Sequence, residues 1–340
     1  MAVSSCKGGV GKSTIAVQLA RAFSKSGLKV GIFDADIYGP SLPVLMPVDG
    51  VPDSEDGLLL PLEKEGIKLM SFGYVQDEKA PAAMRGAMVT QVVTQLVSGT
   101  QWGDLDVLVI DFPPGTGDIQ LTLGQLIPIS AALIVTTPQA LSFVDVEKGI
   151  MLFDKLRIPT IAVIENMSYF LCDDCDKKHN VFGEGAKKRL IDEYGFQKSF
   201  ELPIHQALST VSDAGECLDN PDLLGVFMDL AQFTLKELDR LASTIPPHVE
   251  CSSETILYQE PECEPVSIHP KQLRLQCQCA RCRDEFTGEL LLSEGDISDD
   301  IHVTSSHQVG NYALGIQWSD GHQSIYPYAL LKKLPELSLS

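Results

Sequence analysis

The sequence has no long apolar run. Its longest hydrophobic stretches, such as Ala131 to Val135 and Val107 to Ile110, break off well short of the ~20 residues that a membrane-spanning helix needs. No membrane insertion is expected, and no secretory signal is legible. Positive charge is scarce as well: 26 Lys and Arg stand against 46 Asp and Glu, a formal net charge of −20. A surface of that sign repels phosphate backbones, so no nucleic-acid partner is expected and the candidates narrow to proteins and small ligands. Internal repeats and low-complexity tracts are absent.

What is present is the balance of a folded protein, with 44% hydrophobic and 21% charged residues. A length of 340 residues allows one large domain and one small one, each with its own core. Nine cysteines are an odd count. Cys6 stands alone, Cys172 and Cys175 form a close pair, three more are scattered, and Cys277, Cys279 and Cys282 form a tight trio. With no export signal beside them, metal ligation is a better reading than disulfides.

From Met1 to about Ser243, β-branched runs alternate with helical periods, the pattern of an α/β fold with a parallel sheet and helices on both faces. Val30 to Phe33, Val107 to Ile110, Leu133 to Thr136 and Thr160 to Ile164 read as buried parallel strands. Ser13 to Ser26 reads as a helix ended by Gly27, and Pro221 opens a last helix. The first strand holds only Met1 to Ser4, so either it is very short or residues precede it. We divide the chain into residues 1–245, an α/β domain, 246–265, a linker that is acidic and proline-bearing, and 266–340, a small mostly-β domain.

The loop after the first strand is Lys7-Gly8-Gly9-Val10-Gly11-Lys12-Ser13-Thr14. Between a strand and a helix, such a run is a phosphate cradle. The glycines let backbone N–H groups converge on an anion, and the helix N-terminus adds partial positive charge. Lys12 is expected to reach the β- and γ-phosphate oxygens of ATP, with Ser13 on Mg²⁺. Asp34 and Asp36 follow the second strand and Asp111 ends another, where ligands bind in open α/β sheets. Asp111 is placed to hold Mg²⁺ through water, Asp36 to orient the attacking water, and Asp34 to support or switch them.

The extra Lys7 resembles the signature lysine of the deviant Walker A ATPases. In those proteins it crosses a dimer to the partner's nucleotide, which implies a homodimer here. With Asp34-Ala-Asp-Ile-Tyr-Gly-Pro-Ser41, Asp111-Phe-Pro-Pro-Gly-Thr-Gly-Asp118, Val135-Thr-Thr-Pro-Gln139 and Glu165-Asn-Met-Ser-Tyr169, the first domain resembles the Mrp/ApbC family of iron–sulfur cluster carrier ATPases. The resemblance implies that Asn166 reads the adenine edge, and that Cys172 and Cys175 bind a [4Fe-4S] cluster. One pair supplies two thiolates where four are wanted, so a cluster bridging two chains satisfies the count. A shared zinc or a redox disulfide is the alternative at that pair. Met84-Arg85-Gly86 departs from the family's tryptophan-arginine-glycine.

Cys277, Cys279 and Cys282 together with His322 suit a tetrahedral Zn²⁺, which would staple a small domain. Cys263 and His269 are weaker candidates for the fourth ligand. The trio and the Trp318-Ser-Asp-Gly-His322 turn resemble the amino-terminal domain of gamma-butyrobetaine hydroxylase-like proteins, which implies a structural zinc. That domain behind an Mrp-type ATPase is the arrangement of the plastid high-chlorophyll-fluorescence scaffolds, although their plant members lack the Cys172 and Cys175 pair. The implied activity is slow ATP hydrolysis coupled to carrying a [4Fe-4S] cluster from donors to acceptor apoproteins, in the plastid stroma or alternatively the cytoplasm. Two rival readings are an ATP-gated electron donor resembling nitrogenase iron protein, and a zinc-binding positioning ATPase.

Overall fold

The computed structural model describes residues 1–75, 86–139, 141–172, 174, 175, 177–183, 196, 198–243, 247–252, 254–261, 263–277, 282, 291, 292, 294–309 and 313–337. Arg85, Asp173 and Cys279 lie outside them. The described residues divide into two compact units, the second beginning at Arg240.

The first unit is built on a nine-stranded sheet. Its strands are β1 (Ala2–Ser4), β2 (Val30–Asp34), β3 (Leu62–Lys64), β4 (Ile67–Ser71), β5 (Val107–Asp111), β6 (Ala132–Thr136), β7 (Thr160–Leu171), β8 (Lys178–His179) and β9 (Ser199–Pro203). The order is β8-β7-β6-β1-β5-β2-β4-β3, with β9 also pairing β7. All neighbours run parallel except the edge pairs β3–β4 and β7–β8. Every residue of β1, β2 and β6 is buried, as expected when helices cover both faces of a parallel sheet. β2 and β6 are legible in the sequence as short β-branched runs.

Helix α1 (Lys12–Lys25) packs on β1, β2 and β5 and buries Ile15, Leu19 and Phe23 at helical spacing. Gly27, in the left-handed region at φ 86°, follows its end. The longer of the other helices are α2 (Gly86–Ser98), α3 (Asp118–Leu126), α4 (Leu141–Lys155), α5 (Gln206–Ala214) and α6 (Pro221–Ser243). Asn220 starts α6 by accepting the Leu223 N–H at 3.0 Å, and proline occupies its first helical position. One departure from the sequence reading matters for the site: β7 does not stop at Ile164 but runs on through Asn166 to Leu171.

The second unit holds two antiparallel sheets, β10 (His248–Cys251) with β11 (Ile256–Gln259) and β12 (Val266–Ile268), and β13 (Val303–Val309) with β14 (Ala313–Trp318) and β15 (Gln323–Pro327). Helices α7 (Pro270–Leu275) and α8 (Tyr328–Leu337) complete it. Residues 246–265, read as a linker, therefore carry two strands of this unit. Ile256 and Tyr258 point into its core with Ile268, Leu273, Trp318 and Tyr326, and the intervening acidic and proline residues mask that alternation. Leu291 and Leu292 lie outside any element.

Candidate functional site

The end of β1 feeds a loop whose Gly9 and Gly11 sit at φ 77° and 85°, a region that side chains disfavour. The loop turns straight into α1, so its amides and the helix N-terminus face one open cavity of about 430 Å³. Lys7, Gly8, Gly9, Gly11, Lys12, Ser13, Thr14 and Asp36 all line it, and this volume falls in the range of small-ligand sites. Val10 contributes its backbone: its carbonyl accepts the Asn166 Nδ2 at 2.9 Å. A Cβ on Gly11 would stand 2.3 Å from the same Nδ2, so Asn166 is packed hard against the loop. Asn166 is itself buried within β7.

Strand ends set the charges around the loop. Asp34 and Asp111 are register partners on β2 and β5. Buried Lys12 ion-pairs with Asp111 Oδ1 and lies 3.2 Å from Ser13 Oγ. The Asp34 carboxylate accepts from the backbone N–H groups of Asp36 at 3.0 Å, Ser41 at 3.0 Å and Leu42 at 3.1 Å, and from Ser71 Oγ at 3.1 Å. It thus ties the loop bearing Asp36 to the sheet. Burial and then the Asp111 charge push the Asp34 carboxyl up to about 7. Burial also raises Asp111, against the pull of Lys12. Asp36 stays at the cavity wall, where its Oδ1 accepts the Gly39 N–H at 3.2 Å. Asp145 on α4, which sequence reasoning missed, lies 2.6 Å from Lys7 Nζ and accepts the Cys6 thiol on its backbone oxygen at 2.6 Å.

Cys172 and Cys175 fall on the hairpin between β7 and β8, where Leu171 pairs Lys178 and Cys172 N–H donates to Lys177 O at 3.1 Å. Cys172 is half-buried and Cys175 exposed. Lys178 fastens the hairpin, its Nζ 3.6 Å over the Tyr169 ring and 3.1 Å from Glu201.

In the second unit, His322 Nε2 lies 3.3 Å from Cys277 Sγ and 3.6 Å from Cys282 Sγ, and all three ligand atoms fall within 4.8 Å of one another. A tetrahedral site with Zn–S and Zn–N distances near 2.3 and 2.0 Å has S···N edges of about 3.5 Å, so these spacings suit one ion held between the groups. Both sulfurs are buried, and each accepts a hydrogen bond, from Ser324 Oγ at 3.3 Å for Cys277 and from Arg274 Nη1 at 3.4 Å for Cys282. Thiolates fit that donor set. Cys263 and His269 do not join the cluster: Cys263 is exposed, and His269 caps α7 by accepting the Lys271 N–H.

A glycine-rich loop entering a helix, a lysine on it and aspartates at neighbouring strand ends define a P-loop nucleotide-binding protein. The chain belongs to the family described as NUBPL iron-transfer P-loop NTPase, whose model matches residues 1–232. Residues 257–332 match the amino-terminal domain of gamma-butyrobetaine hydroxylase-like proteins. Among similar proteins is the chloroplastic Fe-S cluster assembly factor HCF101 of Arabidopsis thaliana, 42% identical over 99% of this chain and 64% of its own length. The chain thus spans somewhat under two thirds of that relative. A mitochondrial iron-sulfur protein of the same plant, required for NADH dehydrogenase, is 40% identical over 71% of this chain and 79% of its own length. An Archaeoglobus fulgidus nucleotide-binding protein solved with ADP is 37% identical, with a TM-score of 0.59 over 66% of this chain and 90% of that one.

Proposed function

We propose that this protein is an ATP-dependent carrier that binds a [4Fe-4S] cluster at the Cys172 and Cys175 pairs of two chains and passes it from donors to acceptor apoproteins. The observation that carries the reading is the continuity of β7: one strand presses Asn166 against the phosphate loop and, about six residues on, delivers Cys172 to an exposed hairpin. At about 3.3 Å per residue the two sites lie at most roughly 20 Å apart along one strand, which bends at the left-handed Met167 and shifts register against β9 between Glu165 and Tyr169. A change at the loop therefore has a direct path to the thiolates. The plastid and mitochondrial relatives, named for iron–sulfur work, support the cargo, and the plastid stroma is the proposed compartment.

At the nucleotide, Lys12 moves from Asp111 to the phosphates, and the loop amides hold them. Ser13 and Asp111 are the residues that would hold Mg²⁺, which supplies charge neutralisation on the phosphate oxygens. Asp36 orients the water, and Lys7 of a second chain completes the charge balance, so slow hydrolysis requires the dimer. Asn166 is proposed to touch the adenine through the face it does not give to Val10. In the second unit Cys277, Cys282, His322 and, from the sequence, Cys279 hold a structural Zn²⁺.

The test is metal analysis of anaerobically reconstituted protein. Cys172→Ala is expected to lose iron and sulfide and keep zinc, and Cys277→Ala to do the reverse. Equal iron in the wild type and Cys172→Ala overturns the cluster assignment.

A further inference from the structure

We propose that Arg274, with Ser324, is a positioning residue of the metal centre in the second unit, fixing the two cysteine sulfurs by hydrogen bonds and raising the affinity of the site for its ion. This rests on the zinc reading above. Arg274 is 5% exposed, an unusual place for a guanidinium in a small domain. Such a cation is tolerated only when paired. Its Nε donates to Asp320 Oδ2 at 3.0 Å, and its Nη1 donates to Cys282 Sγ at 3.4 Å. Asp320 in turn accepts the backbone N–H of His322 on Oδ1 at 2.9 Å. One carboxylate therefore aligns both the guanidinium that faces one ligand and the backbone that carries another.

The second sulfur is served by a similar relay. Trp318 Nε1 can only donate, and it donates to Ser324 Oγ at 3.2 Å. The Ser324 hydroxyl proton is left to point elsewhere, and Cys277 Sγ lies 3.3 Å away. Both donors are thus oriented by a further residue and both aim at sulfur. Such an arrangement suits an acceptor carrying charge.

The charge count argues the same way. A divalent ion with three thiolates and one neutral imidazole carries one net negative charge, and Cys277 and Cys282 are 2% and 1% exposed. A buried unpaired charge is costly, and Arg274 sets a positive charge against it, one that it shares with the partly exposed Asp320 accepting its Nε. Outer groups of this kind commonly hold 10- to 100-fold in metal affinity.

The experiment measures zinc affinity by chelator competition and the sulfur-to-metal charge-transfer spectrum of the cobalt(II)-substituted full chain. Arg274→Gln is expected to bind zinc ~10- to 100-fold more weakly and to shift the charge-transfer bands, and Arg274→Lys to recover part of the affinity. Ser324→Ala, which removes one oxygen from the core, keeps the question open to refutation if Arg274→Gln does not fold; about 10-fold weaker binding is expected. Wild-type affinity and an unshifted spectrum in a folded Arg274→Gln or Ser324→Ala protein overturn the proposal. A wild-type chain that takes up neither zinc nor cobalt overturns the metal reading itself.

Discussion

Lys7 Nζ lies 2.6 Å from Asp145 Oδ2 of the same chain, yet that oxygen has no aligned hydrogen-bond partner among the described residues. The lysine proposed to serve a second chain is therefore held in cis by charge alone. Its side chain is 49% exposed, and an ion pair of that kind contributes about 0–1 kcal/mol.

A weak hold is easily exchanged, which gives the first prediction. Asp145→Asn is expected to leave the free energy of unfolding within about 1 kcal/mol of wild type, because the Lys7 end of the pair is solvent-screened. It is expected to lower, by a few-fold, the ATP concentration at which the chain self-associates, since Lys7 no longer has to leave a partner. Light scattering across an ATP titration measures this; an unchanged or raised midpoint for association rejects the holding role.

The second prediction concerns pH. The Asp34 carboxyl titrates near 7 in the folded chain, above its ordinary value of 3.8, because burial and Asp111 disfavour its charge. Between about 4 and 7 the folded state keeps a proton that the unfolded chain has released. The stability tied to that proton is fully present below about 4 and is lost as pH rises through 7. The slope is at most roughly 1.4 kcal/mol per pH unit, one proton's worth. Chemical denaturation at several pH values is expected to show a steeper decline from pH 4 to 7 in wild type than in Asp34→Asn. The variant also loses part of the anchor for the Asp36 loop, so the slope rather than the absolute stability is the readout. Parallel slopes exclude Asp34 as the titrating group.

The phosphate loop and the strands that flank it were legible because their chemistry is local. Left-handed glycines and a lysine-serine pair at a helix start leave few other readings, and β1, β2 and β6 are apolar on both faces. Two features were not legible. The extension of β7 was hidden because Glu165, Asn166 and Ser168 are polar yet buried, satisfied by contacts such as Ser168 Oγ to Glu165 Oε1 at 2.6 Å that no pattern announces. Asp145, Arg274 and Ser324 owe their places to tertiary packing, and as single residues within helices or strands they carry no spacing signal. The region 246–265 was misread for a different reason: its prolines and glutamates have a linker's composition while every second residue of Ile256 to Tyr258 is core.

The last prediction tests the contact on which the link between the two sites depends. Gly11 faces two separate obstacles to a side chain: its φ of 85°, and Asn166 Nδ2 at 2.3 Å from where a Cβ would sit. Gly11→Ala is expected to weaken ATP binding more than 10-fold, because the loop must shift to admit the methyl group; a backbone held at positive φ costs roughly 1–2 kcal/mol by itself. Asn166→Ala opens the space but leaves the dihedral cost. The double variant should therefore bind ATP worse than Asn166→Ala, but lose less than the sum of the two single losses. Strictly additive losses, measured by titration calorimetry, would mean that the two residues do not meet. Met167, next in β7, takes φ 56°, a conformation costly for a side chain and cheap for glycine. Met167→Gly is accordingly expected to relieve about 1 kcal/mol of that backbone strain while loosening the strand between Asn166 and Cys172. If β7 transmits the nucleotide state, this variant keeps wild-type ATP binding but loses the dependence of cluster release on ATP. Release that still follows ATP as in wild type would remove β7 from the path.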